Sequence, residues 1–191
     1  WTAYYVIKKD IMFSSSNFRE PLKDTGQQQL HIDWLPRIKK DQNYDCVVAM
    51  LYLDDSKKIN GAIKLIPGSH KILGYPDQYV NPHKDHPDTI TLEVKAGSII
   101  ILNCNLWHRG GANMNGERRR IINAVYRNRD LKQGLNQHLY IDDKTKNKMN
   151  EAEKYIFKIR DCDTKQKEKI VGPSNEYREF LRKNPQFNYS K

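Results

Sequence analysis

Eight short stretches rich in β-branched and aromatic residues, separated by clusters of Gly, Pro, Asn and Asp, recur along residues 1–127, with no confident helical period between them. They are 1–8 (WTAYYVIK), 11–16 (IMFSSS), 29–35 (QLHIDWL), 45–53 (DCVVAMLYL), 61–66 (GAIKLI), 89–94 (TITLEV), 97–103 (GSIIILN) and 118–127 (RRRIINAVYR). A ninth falls at 137–141 (QHLYI). Many short strands with turn signals between them build a sandwich or a barrel, and eight is the strand number of a jelly roll. The sequence therefore predicts an all-β core, a cupin-like jelly roll or double-stranded β-helix. The long segment 74–88 (GYPDQYVNPHKDHPD), with Pro and Asp throughout, reads as a loop on the rim of that core.

After residue 142 the period changes. Met149, Ala152, Tyr155, Ile156 and Ile159 recur at helical spacing, and Ser174 before NEYREFLRK fits an N-cap. Two C-terminal helices are expected, joined by the charged stretch 161–169. The predicted division is a jelly-roll core over 1–142 and a helical extension over 143–191 packed on it. The chain begins at Trp1 with its first residues already strand-like, so we expect further residues to precede it in a longer protein.

Charge and cysteine content narrow the setting. Net charge is +10, and between residues 144 and 191 there are 13 Lys or Arg against 7 Asp or Glu, so the tail holds 6 of the excess charges. That pattern reads as a solvated helical face rather than a nucleic-acid surface. Taken over the whole chain, the basic excess also admits an anionic small molecule. Cys46, Cys104 and Cys162 are odd in number and far apart, which argues against a disulfide frame and for a reducing, cytoplasmic setting. No apolar run is long enough to cross a bilayer, and no signal-peptide pattern is visible.

One strand carries chemistry. In "LHIDW" a His and an Asp stand two apart, so His31 and Asp33 project from the same face of a strand while Ile32 faces the other way. A buried carboxylate is costly unless paired or bound to a metal. H-x-D itself is a weak motif: 6 His and 15 Asp in 191 residues give about half an occurrence by chance. The chain has three, and the copies His83–Asp85 and His86–Asp88 lie in the loop, where water can solvate them. For the first copy, a metal half-site and a hydrogen-bonded core pair both remain open. His108, at the end of an apolar strand and before a Gly- and Asn-rich turn, can serve as a third ligand. Two His and one carboxylate favour non-haem Fe(II) handling oxygen, although zinc can use a similar set. Beyond the turn, Arg119, Ile121, Asn123 and Val125 share one strand face and Arg118, Arg120, Ile122 and Ala124 the other. If the odd face points inward, Arg119 is a buried cation in need of an anion, and its fork suits a carboxylate. The opposing reading makes all three arginines rim residues balancing acids such as Glu117.

These residues resemble a known family. "QQLHIDW", "NGAIKLIPGSHK" (60–71) and "AGSIIILNCNLWHRGGANMNGERRR" (96–120) look like the iron block, the Asn-Gly strand with its Pro-Gly-Ser-His turn, and the last block of the phytanoyl-CoA dioxygenase (PhyH) family. The resemblance implies an Fe(II)- and 2-oxoglutarate-dependent dioxygenase, using O2, that hydroxylates an unactivated C–H of a small molecule and releases succinate and CO2. It implies that His31, Asp33 and His108 bind the metal. The arginine eleven residues after the distal His is Arg119, which the resemblance assigns to the far carboxylate of 2-oxoglutarate. A carboxylate at position 33, where related halogenases have a small residue, favours hydroxylation. Asn113 stands at the family's Asn position, either in the cofactor site or ordering the turn. Gln28 borders the cosubstrate site or is a surface amide. Trp34 and Trp107 are core residues or site walls, His70 a turn residue, and His138 has no assigned role. The family usually has helices before residue 31, consistent with a preceding segment.

Two other readings compete. One is a cupin-like metal protein without oxygenase activity, an isomerase or small-molecule binder. The other is a basic nucleic-acid module, which would need aromatics interleaved with its cations; Tyr155, Phe157, Tyr177 and Phe180 stand instead at helix-core spacing. The sequence leaves substrate and oligomeric state unspecified.

Overall fold

The computed structural model describes residues 2–159. Helix α1 (Thr2–Ile7) is followed by seven strands, β1 (Ile11–Arg19), β2 (Cys46–Tyr52), β3 (Ile63–Leu65), β4 (Ile90–Leu92), β5 (Ile99–Asn103), β6 (His108–Arg109) and β7 (Ile121–Asn128), then three short helices, α2 (Gln137–Tyr140), α3 (Asp143–Lys146) and α4 (Glu151–Phe157). The strands form two antiparallel sheets, one in the order β1-β7-β2-β5 and one in the order β4-β3-β6. Among the described residues no helix is long and apolar enough to cross a membrane.

The core lies between the sheets. Cys46, Val48, Met50 and Tyr52 of β2 pack with Leu102, Cys104 and Ile121 from the first sheet's side and with Ile63 and Leu65 from the second. Alternation along β2 selects these residues: every second side chain turns inward, and Val47, on the other face, meets Ala3 and Ile7 of α1. Cys46 and Cys104 are buried free thiols. Such residues behave as small apolar side chains in a core.

Residues 1–8 do not form the expected strand. They lack period-2 alternation, and what they offer is a pair four residues apart, Ala3 and Ile7, that buries one helical stripe against Val47 and Tyr126. Packing has overridden the β preference of Tyr and Val there. Residues 29–35 do not form the expected strand: the chain bends at Leu30, Asp33 and Trp34, and its backbone partners are spread over three places, with Leu30 N–H donating to Pro82, His31 exchanging two bonds with His108, and Asp33 N–H donating to Cys104. The segment therefore makes one bridge rather than a ladder. The stretch 137–141 is helix α2, not a ninth strand. The two-residue strand β6 was too short to be seen in sequence. α4 forms where Ala152, Tyr155 and Ile156 predicted it, with Asn150 and Glu153 making a reciprocal capping box. The second C-terminal helix, expected after Ser174, lies outside the described residues.

One turn fixes how closely the residues before β3 and after β6 approach each other near His108. Gly61 has φ +91°, and a Cβ there would stand 2.6 Å from the carbonyl oxygen of Gly111. Only glycine satisfies both conditions. Asn60 locks the same turn by accepting from Lys57 N–H and donating to the carbonyls of Asp55 and Arg118.

Candidate metal centre

His31 and His108 face each other across their backbone bridge, with ring centroids 4.5 Å apart. Asp33 stands beside both, its Oδ1 3.5 Å from His31 Nε2 and its Oδ2 3.4 Å from His108 Nε2. One ligand atom from each of the three lies within 4.8 Å of the others. The other ring nitrogens are occupied: Nδ1 of His31 is 2.8 Å from the carbonyl oxygen of Gln29, and Nδ1 of His108 is 2.8 Å from that of Leu106. A carbonyl can only accept, so both rings keep a proton on Nδ1, and each Nε2 faces the carboxylate, donating to it when protonated and free to offer its lone pair to an ion when not. A backbone carbonyl on the far nitrogen is the usual way to orient a metal-binding imidazole. The donor set and its orientation fit a divalent ion bound on one side by two nitrogens and one oxygen.

Electrostatics agree with that set. Burial pushes the Asp33 carboxyl up, but hydrogen bonds from His108 and His31 outweigh it and hold the group well below the usual carboxylate range. Protein encloses the carboxylate on most sides, yet it opens on a cavity, which leaves 41% of its side-chain surface accessible. Burial pulls His108 down, and the Asp33 carboxylate more than compensates, so its pKa rises. Without a cation, one carboxylate thus serves two imidazoles.

The cavity has a volume of about 360 Å³. His31, Asp33 and His108 form part of its wall, Val48, Met50, Ile63 and Ile121 supply apolar surface, and Arg119 and Asn123 reach it from β7 and the residues before it. Arg119 is 6% exposed. Its Nε–H donates to the carbonyl of Asn60 at 3.2 Å, and among the described residues no carboxylate pairs with it. Its neighbours do have acids: Arg118 meets Glu20 at 3.2 Å, and Arg120 makes a two-pronged contact with Asp54 at 2.8 Å for each prong. Strand parity thus separates one inward arginine from two balanced rim arginines. Glu117 pairs instead with Lys57.

Asp54 also accepts from the backbone N–H of Arg120, so it fixes the point at which β7 begins and at which Arg119 turns inward. The Arg120 guanidinium holds the Asp54 carboxyl down to about 2. A carboxyl depressed in the folded state contributes stability that is present above its unfolded pKa, about 3.9, and is lost as the pH falls through the folded value. Asp54→Asn is therefore expected to flatten the acid limb of stability between about pH 4 and pH 2, read as urea midpoints across that range. An unchanged limb would contradict the assignment.

The remaining sequence candidates fall into place around the site. Gln28 lines the cavity, and its Oε1 accepts from Gly110 N–H at 2.9 Å. Asn113 is not among the cavity-lining residues. Its amide donates to Pro21 and Glu117 and accepts from Gly116, so it posts the turn between His108 and Arg119. Trp107 packs with Leu30 and Ile66 in the core, Trp34 is half-buried against the core under the guanidinium of Arg127, and neither is among the cavity-lining residues. The loop copies of H-x-D serve the loop. Asp85 pairs with Lys64 and Arg109, and Asp88 N–H donates to His86 Nδ1. Arg109, buried next to His108, also donates to Pro82, and this ties the 74–88 loop to the site. That latch was missed in sequence, where Asp85 reads as one more loop acid. The carbonyl of His70 accepts from Arg37, and its ring meets Tyr44.

Residues 5–121 match the family model described as phytanoyl-CoA dioxygenase (PhyH). The chain belongs to the phytanoyl-CoA dioxygenase family. Among curated relatives it is 33% identical over 97 residues to dioxygenase cnsJ of Penicillium expansum, covering 50% of this chain and 28% of that one. It is 32% identical over 80 residues to phytanoyl-CoA dioxygenase 1 of Oryza sativa subsp. japonica, covering 36% of this chain and 28% of that one. The match thus spans less than a third of the length of either relative. Among solved structures, HygX from Streptomyces hygroscopicus with nickel and 2-oxoglutarate bound superposes with a TM-score of 0.57 at 17% identity, over 68% of this chain and 61% of that one. The fold of this family member is the double-stranded β-helix, with the two antiparallel sheets described above as its walls.

Proposed function

We propose that this chain carries the Fe(II)- and 2-oxoglutarate-dependent centre of a dioxygenase that hydroxylates an unactivated C–H bond of a small molecule. The observation that carries the reading is that one cavity holds both the His31, Asp33 and His108 cluster and a buried guanidinium that no acid among the described residues pairs with. A metal site alone would suit many cupin-like proteins; the added cation asks for an anionic cosubstrate.

Each group has a physical task. His31 and His108 would offer Nε2 to the ion, with Nδ1–H held by backbone carbonyls so that neither ring turns. Asp33, ionised at any working pH, would supply the third donor and offset part of the ion's charge. Arg119 would receive the far carboxylate of 2-oxoglutarate. Bound iron with 2-oxoglutarate supplies the oxidising power, consuming O2 and releasing succinate and CO2. Val48, Met50, Ile63 and Ile121 keep water from the reacting end, while Gln28, held on Gly110, shapes the wall where the substrate enters.

The test is succinate release under air with Fe(II), ascorbate and 2-oxoglutarate, across a panel of candidate small molecules. Succinate is expected to form only when metal and 2-oxoglutarate are both present, and faster with an accepted substrate. Metal binding with no 2-oxoglutarate consumption for any panel member, and none in its absence, would contradict the proposal.

A further inference from the structure

The charges around the cavity leave one cation unanswered. Apart from the two imidazoles, which are neutral when they hold an ion, the charged lining residues are Arg19, Glu20, Asp33 and Arg119. Glu20 is answered by Arg118 at 3.2 Å. On the functional reading above, one carboxylate of 2-oxoglutarate would answer Arg119, and the other would join Asp33 against the two charges of the ion. Arg19 is left over: among the described residues no acid pairs with its guanidinium and no carbonyl accepts from it.

The ladder places this cation. Arg19 is the last residue of β1 and stands opposite Ile121 of β7, so the two side chains share a face, and both line the cavity. Arg119 precedes Ile121 by two residues on that face and is buried, whereas Arg19 is exposed. One guanidinium therefore lies at the inner wall and the other at the opening. The remaining wall includes the apolar side chains of Val48, Met50 and Ile63.

We propose that Arg19 selects the substrate, and that the substrate is an amphipathic acid: an apolar body in the cavity with an anionic head, carboxylate or phosphate ester, on Arg19. The proposal rests on the functional reading above. A guanidinium fork takes either head with two parallel hydrogen bonds. A cation at the mouth of an apolar cleft also concentrates anions there. With the head held at the opening, the C–H bond that meets the ion belongs to the far part of the molecule. A neutral molecule of the same shape leaves Arg19 unanswered and gains nothing from it.

The probes are hexanoate, octanoate and decanoate, with the matching alkyl phosphates and the matching primary amides, which keep the shape of the acid and lose its charge. Each is titrated by calorimetry into the chain loaded with Ni(II) and 2-oxoglutarate, as wild type and as Arg19→Gln. In the wild type at least one acid or phosphate is expected to bind about tenfold more tightly than its amide, and the series that shows the preference identifies the head. In Arg19→Gln the charged probe and its amide should come within about twofold of each other. The affinity for 2-oxoglutarate and the ligand-free melting temperature should not move, because the exposed Arg19 side chain anchors nothing else among the described residues. A wild type without preference for any charged probe, or a preference that survives Arg19→Gln, would overturn the proposal. So would a variant that loses 2-oxoglutarate as strongly as the probe, which would assign Arg19 to the cosubstrate. A wild type that takes up Ni(II) but no 2-oxoglutarate would overturn the functional reading itself, and the proposal with it.

Discussion

His108→Ala is expected to abolish 2-oxoglutarate turnover, with a loss well beyond the ~100-fold typical when only a hydrogen-bond partner of a metal ligand is removed. In the proposed centre His108 would supply one of three donors, and it is the most enclosed of them, at 8% side-chain exposure against 26% for His31. Without its Nε2, two donors remain, and neither the charge nor the geometry of the site holds an ion well. Stability separates this from simple unfolding. The backbone exchange with His31 and the pairing with Leu65 do not need the imidazole, so the ligand-free variant should lose only about 1–3 kcal/mol. A metal present at 100 times its Kd stabilises the wild type by about 2.7 kcal/mol and should stabilise the variant by none. Melting curves with and without Fe(II) under argon read both numbers. A variant that still melts later with Fe(II) would remove His108 from the site.

Arg119→Ala is expected to leave the metal in place and to cost the cosubstrate. Hydrogen bonds to a charged group are worth about 1.5–3 kcal/mol, so losing the fork should weaken 2-oxoglutarate by roughly 10- to 100-fold or more. Fe(II) affinity should hold within about twofold, since Arg119 contributes no donor to the ion. In melting experiments the shift caused by Fe(II) should persist and the further shift caused by 2-oxoglutarate should vanish. The ligand-free protein should lose little, because burying a guanidinium without an acid is itself unfavourable. Arg119→Lys should recover part of the binding, as a point charge replaces a two-pronged donor. A variant with an unchanged 2-oxoglutarate shift would place the anchor elsewhere.

The grouping of the candidate residues was more legible in sequence than the strands that carry them. Period-2 alternation is enough to pair His31 with Asp33 on one face and to separate Arg119 from Arg118 and Arg120, because side-chain direction in extended chain depends only on parity. The apolar runs of β2, β5 and β7 were visible for the same reason. What failed was whatever depends on partners distant in sequence. Thr2–Ile7 is a helix because Val47 and Tyr126 provide a surface for Ala3 and Ile7, and no local signal announces that surface. Residues 29–35 have strand-forming side chains, but their backbone groups go to Pro82, His108 and Cys104, so a ladder never forms. Gln137–Tyr140 ends in two adjacent large apolar residues, Leu139 and Tyr140, which read as strand in sequence and are exposed on the helix. The Asp85 latch on Arg109 needed coordinates, since nothing in an Asp alone names its neighbour.

The central claim is that His31, Asp33 and His108 bind one metal ion, and the most direct test is anaerobic calorimetric titration of the wild-type chain with Fe(II), repeated on His108→Ala. The account predicts a single saturable site at one ion per chain in the wild type and no saturable site in the variant. Titration curves that coincide for the two proteins, or a wild type that takes up no ion, would contradict it.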